Sequence, residues 1–196
     1  TDAFTRGDST DLGTNWDVVY GTGHQIVSNE CGCNTGEAGG WDGGEIWNAD
    51  SFANDQYSEG TVAGAPSTGG ATGLAVRGSA ASSGNFYGIY STSAEKYIFK
   101  VVAGSFTTID SDANAWSNTD LVRLEAEGTT ITPKLNGSLD TDLGAKTDSA
   151  ISSGSAGVSG YGVTNYNYLD DWEGGDLASG ISIPVVMHHF MQQGIS

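Results

Sequence analysis

The chain has 196 residues, 37% of them hydrophobic and 30 of them glycine, which is enough for one domain with a sizeable core and short for two. Its formal charge is −17, from 24 acidic residues against seven Lys and Arg that form no cluster, so nucleic acid is a poor partner. The longest apolar runs, such as Val185-Val186-Met187, fall far short of the about 18 residues that cross a bilayer as a helix, and no membrane insertion is expected.

From the N-terminus, Thr1-Asp2 opens without the basic and apolar regions of a secretory signal, so a removed signal and a removed initiator Met are both open. No window keeps apolar residues at helical spacing, whereas short alternating runs recur along the whole chain. These predict strands at Trp16–Tyr20, Gln25–Ser28, Glu45–Asn48, Gln56–Val62, Gly73–Arg77, Asn85–Ser91 and Lys96–Val102. Further strands are expected at Ser105–Ile109, Leu121–Glu127, Thr129–Leu135, Gly157–Gly160, Tyr166–Asp171 and Ile181–Phe190. Gly-, Ser-, Asn- and Asp-rich stretches such as 36–44, 63–72 and 148–156 read as connections.

Cys31 and Cys33 read as loop thiols, or as one local or intermolecular bridge, and only His24 lies near them as a further metal ligand. In Lys96–Val102, Tyr97, Phe99 and Val101 share one face and Ile98, Lys100 and Val102 the other, as in a central strand buried on both sides. In Leu121–Glu127, Val122, Leu124 and Ala126 face a core while Arg123, Glu125 and Glu127 stay wet. Pro133 cannot donate to a ladder and belongs at an edge or bulge, and Asn136-Gly137 is a tight-turn signal. Many short strands without helices, and no repeat of fixed period, predict an all-β antiparallel sandwich or barrel in a single domain over residues 1–196.

The segment Asp2-Ala-Phe-Thr-Arg-Gly-Asp-Ser-Thr-Asp-Leu-Gly-Thr-Asn-Trp16 resembles the opening of concanavalin A-like, laminin-G-like (LamG-like) jelly-roll domains. Asp55-Gln-Tyr-Ser-Glu59, Gly73-Leu-Ala-Val-Arg77 and Asn85-Phe-Tyr-Gly88 resemble that family's successive strands. Asp120 to Ile131, with Lys134-Leu-Asn-Gly137, resembles its long hairpin, and Leu169-Asp-Asp-Trp-Glu-Gly174 its closing strand. The resemblance implies two curved sheets, one concave, with the first and last strands adjacent. Domains of this kind occur in bacteriophage structural proteins and in extracellular glycan-binding modules. The tail Ile183-Pro-Val-Val-Met-His-His-Phe190 also looks like the ending of short phage-encoded proteins of this type.

Glycoside hydrolases that share the sandwich need two carboxylates about 5–5.5 Å apart for retention, set on one strand in an E-x-D-x-x-E pattern. The chain lacks that pattern; the nearest approach is Glu125-Ala-Glu127, whose acids are explained by cross-strand pairing with Lys100 or Arg123. There is no G-x-S-x-G elbow, and His188 and His189, adjacent in a strand, point to opposite faces. Arg6-Gly7-Asp8 belongs to the opening segment and is not read as an adhesion signal. Several sandwiches of the family carry a structural calcium where the terminal strands meet, which makes Asp2, Asp170 and Asp171 candidate ligands. Sugar binding uses aromatic faces with polar groups on hydroxyls, so Tyr87, Tyr90, Trp116 and Arg77 are candidate glycan contacts; Tyr57, Trp172, Lys100, Arg123 and Glu125 are also available.

The expectation is a non-catalytic jelly-roll module on a virion surface or in the extracellular space. It would self-associate or attach to other virion proteins and touch host glycans. A polysaccharide hydrolase and a secreted carbohydrate-binding module are the alternatives.

Overall fold

The computed structural model describes residues 1–33, 43–64, 70–80, 84–162 and 168–178, and every regular element in them is a β-strand. In chain order these are β1 (Trp16–Gly21), β2 (His24–Val27), β3 (Glu30–Cys33), β4 (Gly43–Trp47), β5 (Gln56–Val62), β6 (Gly70–Ser79), β7 (Asn85–Ser91) and β8 (Lys96–Val102). There follow β9 (Ser105–Asp112), β10 (Leu121–Glu127), β11 (Thr130–Leu135), β12 (Ser138–Leu139), β13 (Lys146–Thr147), β14 (Ser155–Gly162) and β15 (Leu169–Asp176). All pairings are antiparallel. They form a seven-stranded sheet in the order β1-β4-β14-β6-β7-β8-β9, and an eight-stranded sheet in the order β12-β11-β10-β5-β15-β3-β2 with β13 on β11. Among the described residues no helix is long and apolar enough to cross a membrane.

Alternation decides which side of each strand is dry. Val122, Leu124 and Ala126 of β10 are fully buried, and they meet Leu74, Val76, Ile89, Ile98 and Val158 of the opposite sheet in the main core. One end of that core is closed by Trp16 of β1, Trp47 of β4 and Trp172 of β15, whose ring centroids lie 4.7–5.5 Å apart. Each indole N–H finds an acceptor: Trp16 donates to Asp2, Trp47 to Asp50 and Trp172 to Ser58. A buried Trp needs such a partner if its polar edge is not to be stranded in an apolar interior.

The seven-stranded sheet is dry on its far side as well. Phe86, Phe99, Val101, Tyr90, Ala71 and Ala75 form a second buried cluster there. The rings fit because glycine lies beneath them: a Cβ on Gly88 would sit 2.3 Å from the Phe99 ring, and one on Gly44 would sit 2.7 Å from the Phe86 ring. Gly44 is in β4 and Phe86 in β7, three strands away, which at about 4.8 Å per strand is roughly 14 Å on a flat sheet. Contact across that span means the sheet curls, with the far face concave.

Pro133 lies in β11 between its short partners β12 and β13, and its carbonyl accepts from Asp140 N on the edge side. Its missing N–H points the same way and costs the β10–β11 ladder nothing. Asn136 and Gly137 both have positive φ, the requirement of a two-residue hairpin turn.

The expected boundaries of β5, β7, β8 and β10 agree with the structure. The connections expected at 36–44, 63–72 and 148–156 each yield their last residues to a strand, because small residues are needed where β4, β6 and β14 crowd beneath rings and neighbouring backbone. Cys31 and Cys33 are not in a loop; they lie buried and unbridged in β3. The N-terminal segment meets β15 through an Asp2–Trp172 bridge, whereas β1 itself lies in the opposite sheet. The expected strand Ile181–Phe190, with His188 and His189, lies outside the described residues.

The residues between β12 and β14 are strapped to the core by buried charge. Lys96 of β8 is 1% exposed, and its Nζ contacts Asp140 at 2.7 and 2.8 Å and Asp142 at 2.9 Å. Farther along, Asp148 accepts from both Tyr87 and Lys100. Removing one partner of a buried pair strands the other charge, so Lys96→Met is expected to lower the unfolding free energy by about 3–5 kcal/mol. Adding Asp140→Leu should recover most of that loss in urea titrations; a double variant as unstable as the single one would show that the pair is not what holds this segment.

Candidate functional site

At one end of the concave face the buried rings give way to an open depression of about 320 Å³. Its walls are Tyr90 at the end of β7, Tyr97 at the start of β8, Tyr161 of β14 and Thr108 of β9, with Thr92 and Ser93 from the β7–β8 turn. Tyr90 and Tyr97 are directly opposed in the ladder, their rings 5.0 Å apart, and Tyr161 stacks on Tyr90 at 5.8 Å and 12°. The turn is held by Thr92, whose hydroxyl oxygen accepts from the N–H of Ala94 and of Glu95. The Tyr97 hydroxyl donates to the Glu95 carboxylate, which, with burial, pushes the phenol up to about 12. Among the described residues no Asp, Glu, Lys or Arg side chain lines the depression. The site presents aromatic faces and hydroxyl groups, and nothing in it can act as a general acid paired with a base.

Of the residues singled out in the sequence, Tyr90 lines this depression, with 4% of its surface exposed and its ring packed under Tyr97 and Tyr161. Tyr87, three positions earlier in the same strand, necessarily faces the other way; it is fully buried with its hydroxyl on Asp148, which raises the phenol to about 12 by burial first and the carboxylate second. Arg77, 2% exposed, donates to the carbonyls of Asn54 and Ile151. Trp116 is 3% exposed in the main core. Burial therefore corrects three of the four glycan candidates: Tyr87, Trp116 and Arg77 offer no face to a ligand. Trp172 is buried likewise.

Tyr57, Arg123 and Glu125 lie on the outer face of the eight-stranded sheet and satisfy one another. Arg123 sits 3.5 Å over the Tyr57 ring, while Glu125 receives Arg123 Nε at 2.7 Å and Lys134 Nζ at 2.8 Å. Lys100 is not Glu125's partner, being taken by Asp148 on the inner side of β8. Tyr97 and Tyr161 were the residues the sequence did not single out. The run Gly157–Gly160 stops one residue short of Tyr161, and nothing local shows that β14 and β8 bring their tyrosines to one spot.

Of the acids suggested for calcium, Asp2 already has both carboxylate oxygens in hydrogen bonds, from Arg6 at 2.6 and 3.0 Å and from Trp16 at 2.9 Å, with Phe4 N on Oδ1. Burial pushes that carboxyl up, but the hydrogen bonds prevail and hold it below the usual range. Asp170 is raised by burial and by the charges of Asp171 and Asp2, while the bulge after it leaves Asp171 exposed at a positive φ. Among the described residues no three His, Cys, Asp or Glu side chains group as metal ligands.

A second polar cluster lies inside the sandwich. His24 of β2 is fully buried with neither ring nitrogen hydrogen-bonded, and burial lowers it to about 4. Its backbone N–H donates to Glu45 Oε1 at 2.9 Å; Oε2 has no partner, and burial raises this carboxyl to about 7. Gly23, Gly43 and Gly160 pack around the pair so closely that a Cβ on any of them would crowd it.

No protein-family model matches the sequence, and no curated protein matches it. Solved structures do. A carbohydrate binding module, CBM66, from Bacillus subtilis superposes with TM-score 0.58 at 18% identity, covering 85% of this chain and 95% of that one. A prokaryotic β-1,3-1,4-glucanase (lichenase) from a mouse hindgut metagenome gives 0.58 at 9%, covering 89% and 97%. The β-glucanase of Bacillus licheniformis gives 0.56 at 10%, covering 88% and 99%. At these identities the likeness is one of fold.

The buried pair sets a pH dependence whose sign follows from the two shifts. Glu45 has its carboxyl raised in the folded chain, so its contribution is present below about 4.5 and is lost as pH rises through 7. His24 acts oppositely, its contribution being present above about 6.5 and lost as pH falls towards 4. Between those limits the two largely offset. Glu45→Gln removes one side of the balance, so urea unfolding should show the variant gaining on the native chain from pH 5 to pH 8 by a few kcal/mol. A gap that does not change with pH would mean that Glu45 does not titrate as a buried acid.

Proposed function

We propose that this concanavalin A-like jelly roll is a non-catalytic glycan-binding module, and that Tyr97 and Tyr161, packed on the buried ring of Tyr90, form its binding face. The observation that carries the reading is the open depression itself, where stacked tyrosine rings meet hydroxyl groups on a concave sheet with no carboxylate among the described lining residues. Aromatic faces pack against the C–H faces of sugar rings while hydroxyls fix orientation. The volume lies at the lower end of the range for ligand sites, about 300–1,000 Å³.

The fold is shared by a carbohydrate binding module and by glucanases, so chemistry must separate the two. Glycoside hydrolysis needs a pair of carboxylates across the bond. The depression offers none, and Glu125, the nearest approach in sequence, is locked between Arg123 and Lys134 on the outer face of the other sheet. Display outside a phage particle, with self-association and host-surface glycans as partners, belongs to the same proposal and is supported by the sequence resemblance. The acidic surface suits an exposed, soluble position.

A glycan array should show saturable binding, and Tyr161→Ala should weaken it about thirtyfold, the cost of about 2 kcal/mol at a central aromatic contact. The same preparation should release no reducing ends from a polysaccharide panel; release abolished by Glu125→Gln would replace this reading with the hydrolase. Light scattering at working concentration should give the mass of an oligomer, and a monomer would remove the self-association.

A further inference from the structure

Resting on that reading, we infer that the depression takes the uncharged end of a neutral glycan chain and does not grip the middle of a chain. Two independent features of the molecule lead there.

The first is the filling of the concave face. A chain bound along its middle must enter and leave, which requires a path across the sheet. Here that path is solid: Phe86, Phe99 and Val101 are at most 3% exposed, over a floor of Ala71 and Ala75 that is at most 1% exposed. Phe86 reaches across to Gly44 of β4, and its ring lies 6.2 Å from Tyr20 of β1, so the curl closes on its own side chains. Phe99 stacks in turn on Phe106 of β9 at 4.9 Å. The tyrosine depression is thus a pit at the end of a filled trough. A pit of about 320 Å³ with a closed floor has room for the last part of a chain.

The second is charge. All seven Lys and Arg residues of the chain are paired with its own carboxylates: Arg6 with Asp2, Arg77 with Asp55, Lys96 with Asp140, Lys100 with Asp148, Arg123 with Glu59, Lys134 with Glu125 and Lys146 with Asp110. None is among the described residues that line the depression, and beside it Glu95 is bound by the Tyr97 hydroxyl. A uronate or sulfate would find no counter-charge there and would approach a molecule of charge −17. The hydroxyls of Ser93 and Thr108, which make no hydrogen bond with the described residues, suit the hydroxyls of an uncharged sugar.

The test uses the full chain and length-graded fractions of mixed-linkage β-glucan, xylan and mannan, with polygalacturonate and dextran sulfate as polyanions. Protein bound at saturation per gram of a neutral polymer should rise in proportion to the number of chain ends as the fractions shorten. The polyanions should bind about tenfold more weakly or not at all. Thr108→Arg, which puts an unpaired cation on an exposed wall, should add measurable polygalacturonate binding. Capacity per gram that does not depend on chain length, or polyanions bound as well as neutral polymers, would overturn the inference while leaving glycan binding in place. Absence of saturable binding by every neutral polymer, with Tyr161→Ala indistinguishable from the native chain, would remove the glycan-binding reading and this inference with it.

Discussion

Aromatic rings lying over glycines hold the seven-stranded sheet in its curl, and the rest of the molecule follows from that packing. A sheet twists readily, but a sheet dry on both faces must find volume for side chains on each. Gly44 and Gly88 supply it by leaving the backbone bare under Phe86 and Phe99. The rings then bridge strands that a flat sheet would keep apart. A methyl group at either glycine would meet ring carbon well inside contact distance, so ring and glycine act as one unit.

That unit also decides where a ligand fits. The concave face of such a sheet is its natural recess, and here the recess is largely occupied by the protein itself. What stays open is the margin where Tyr90, Tyr97 and Tyr161 stand in place of phenylalanine and alanine beside Thr92, Ser93 and Thr108. The opposite arrangement prevails on the far side of the sandwich. There Arg123 and Glu125 of β10, Glu59 of β5 and Lys134 of β11 point outward and neutralise one another across neighbouring strands. One outer surface is a saturated ion-pair lattice with little left for a partner, and the other is apolar with a polar rim.

Charge is used sparingly and locally. With 24 acids and seven Lys and Arg, most carboxylates are solvated, and the few cations serve as struts. Lys96 and Lys100 tie the segment before β14 to the inner side of β8, and Arg6 locks Asp2 against Trp16 where the N-terminal segment meets β15. Acids that look free in the sequence, Asp2 above all, are thus engaged within the chain. Their oxygens are already occupied by donors that arrive from elsewhere in the chain. His24 and Glu45 are the exception, a buried polar pair left largely unsatisfied, whose opposed titrations roughly cancel.

Alternation along single strands was enough to establish the all-β class, the limits of β5, β7, β8 and β10, the dry face of β10, and the turn at Asn136-Gly137, because these depend on neighbours within a few residues. The order of family-like segments was enough for the jelly roll. Which tyrosine lines the depression was not readable, since Tyr87 and Tyr90 are chemically identical in sequence and differ only in which face of β7 they occupy and what lies beyond it. β3 was hidden because a Cys-Gly-Cys run has no alternation to show, and β14 was cut short because glycines under crowded backbone look like a loop. Only the tertiary structure could place Tyr161 on Tyr90, fill the trough with Phe86 and Phe99, and engage every basic residue, because each is a contact between strands far apart in sequence, and a one-dimensional pattern carries no information about which distant strands become neighbours.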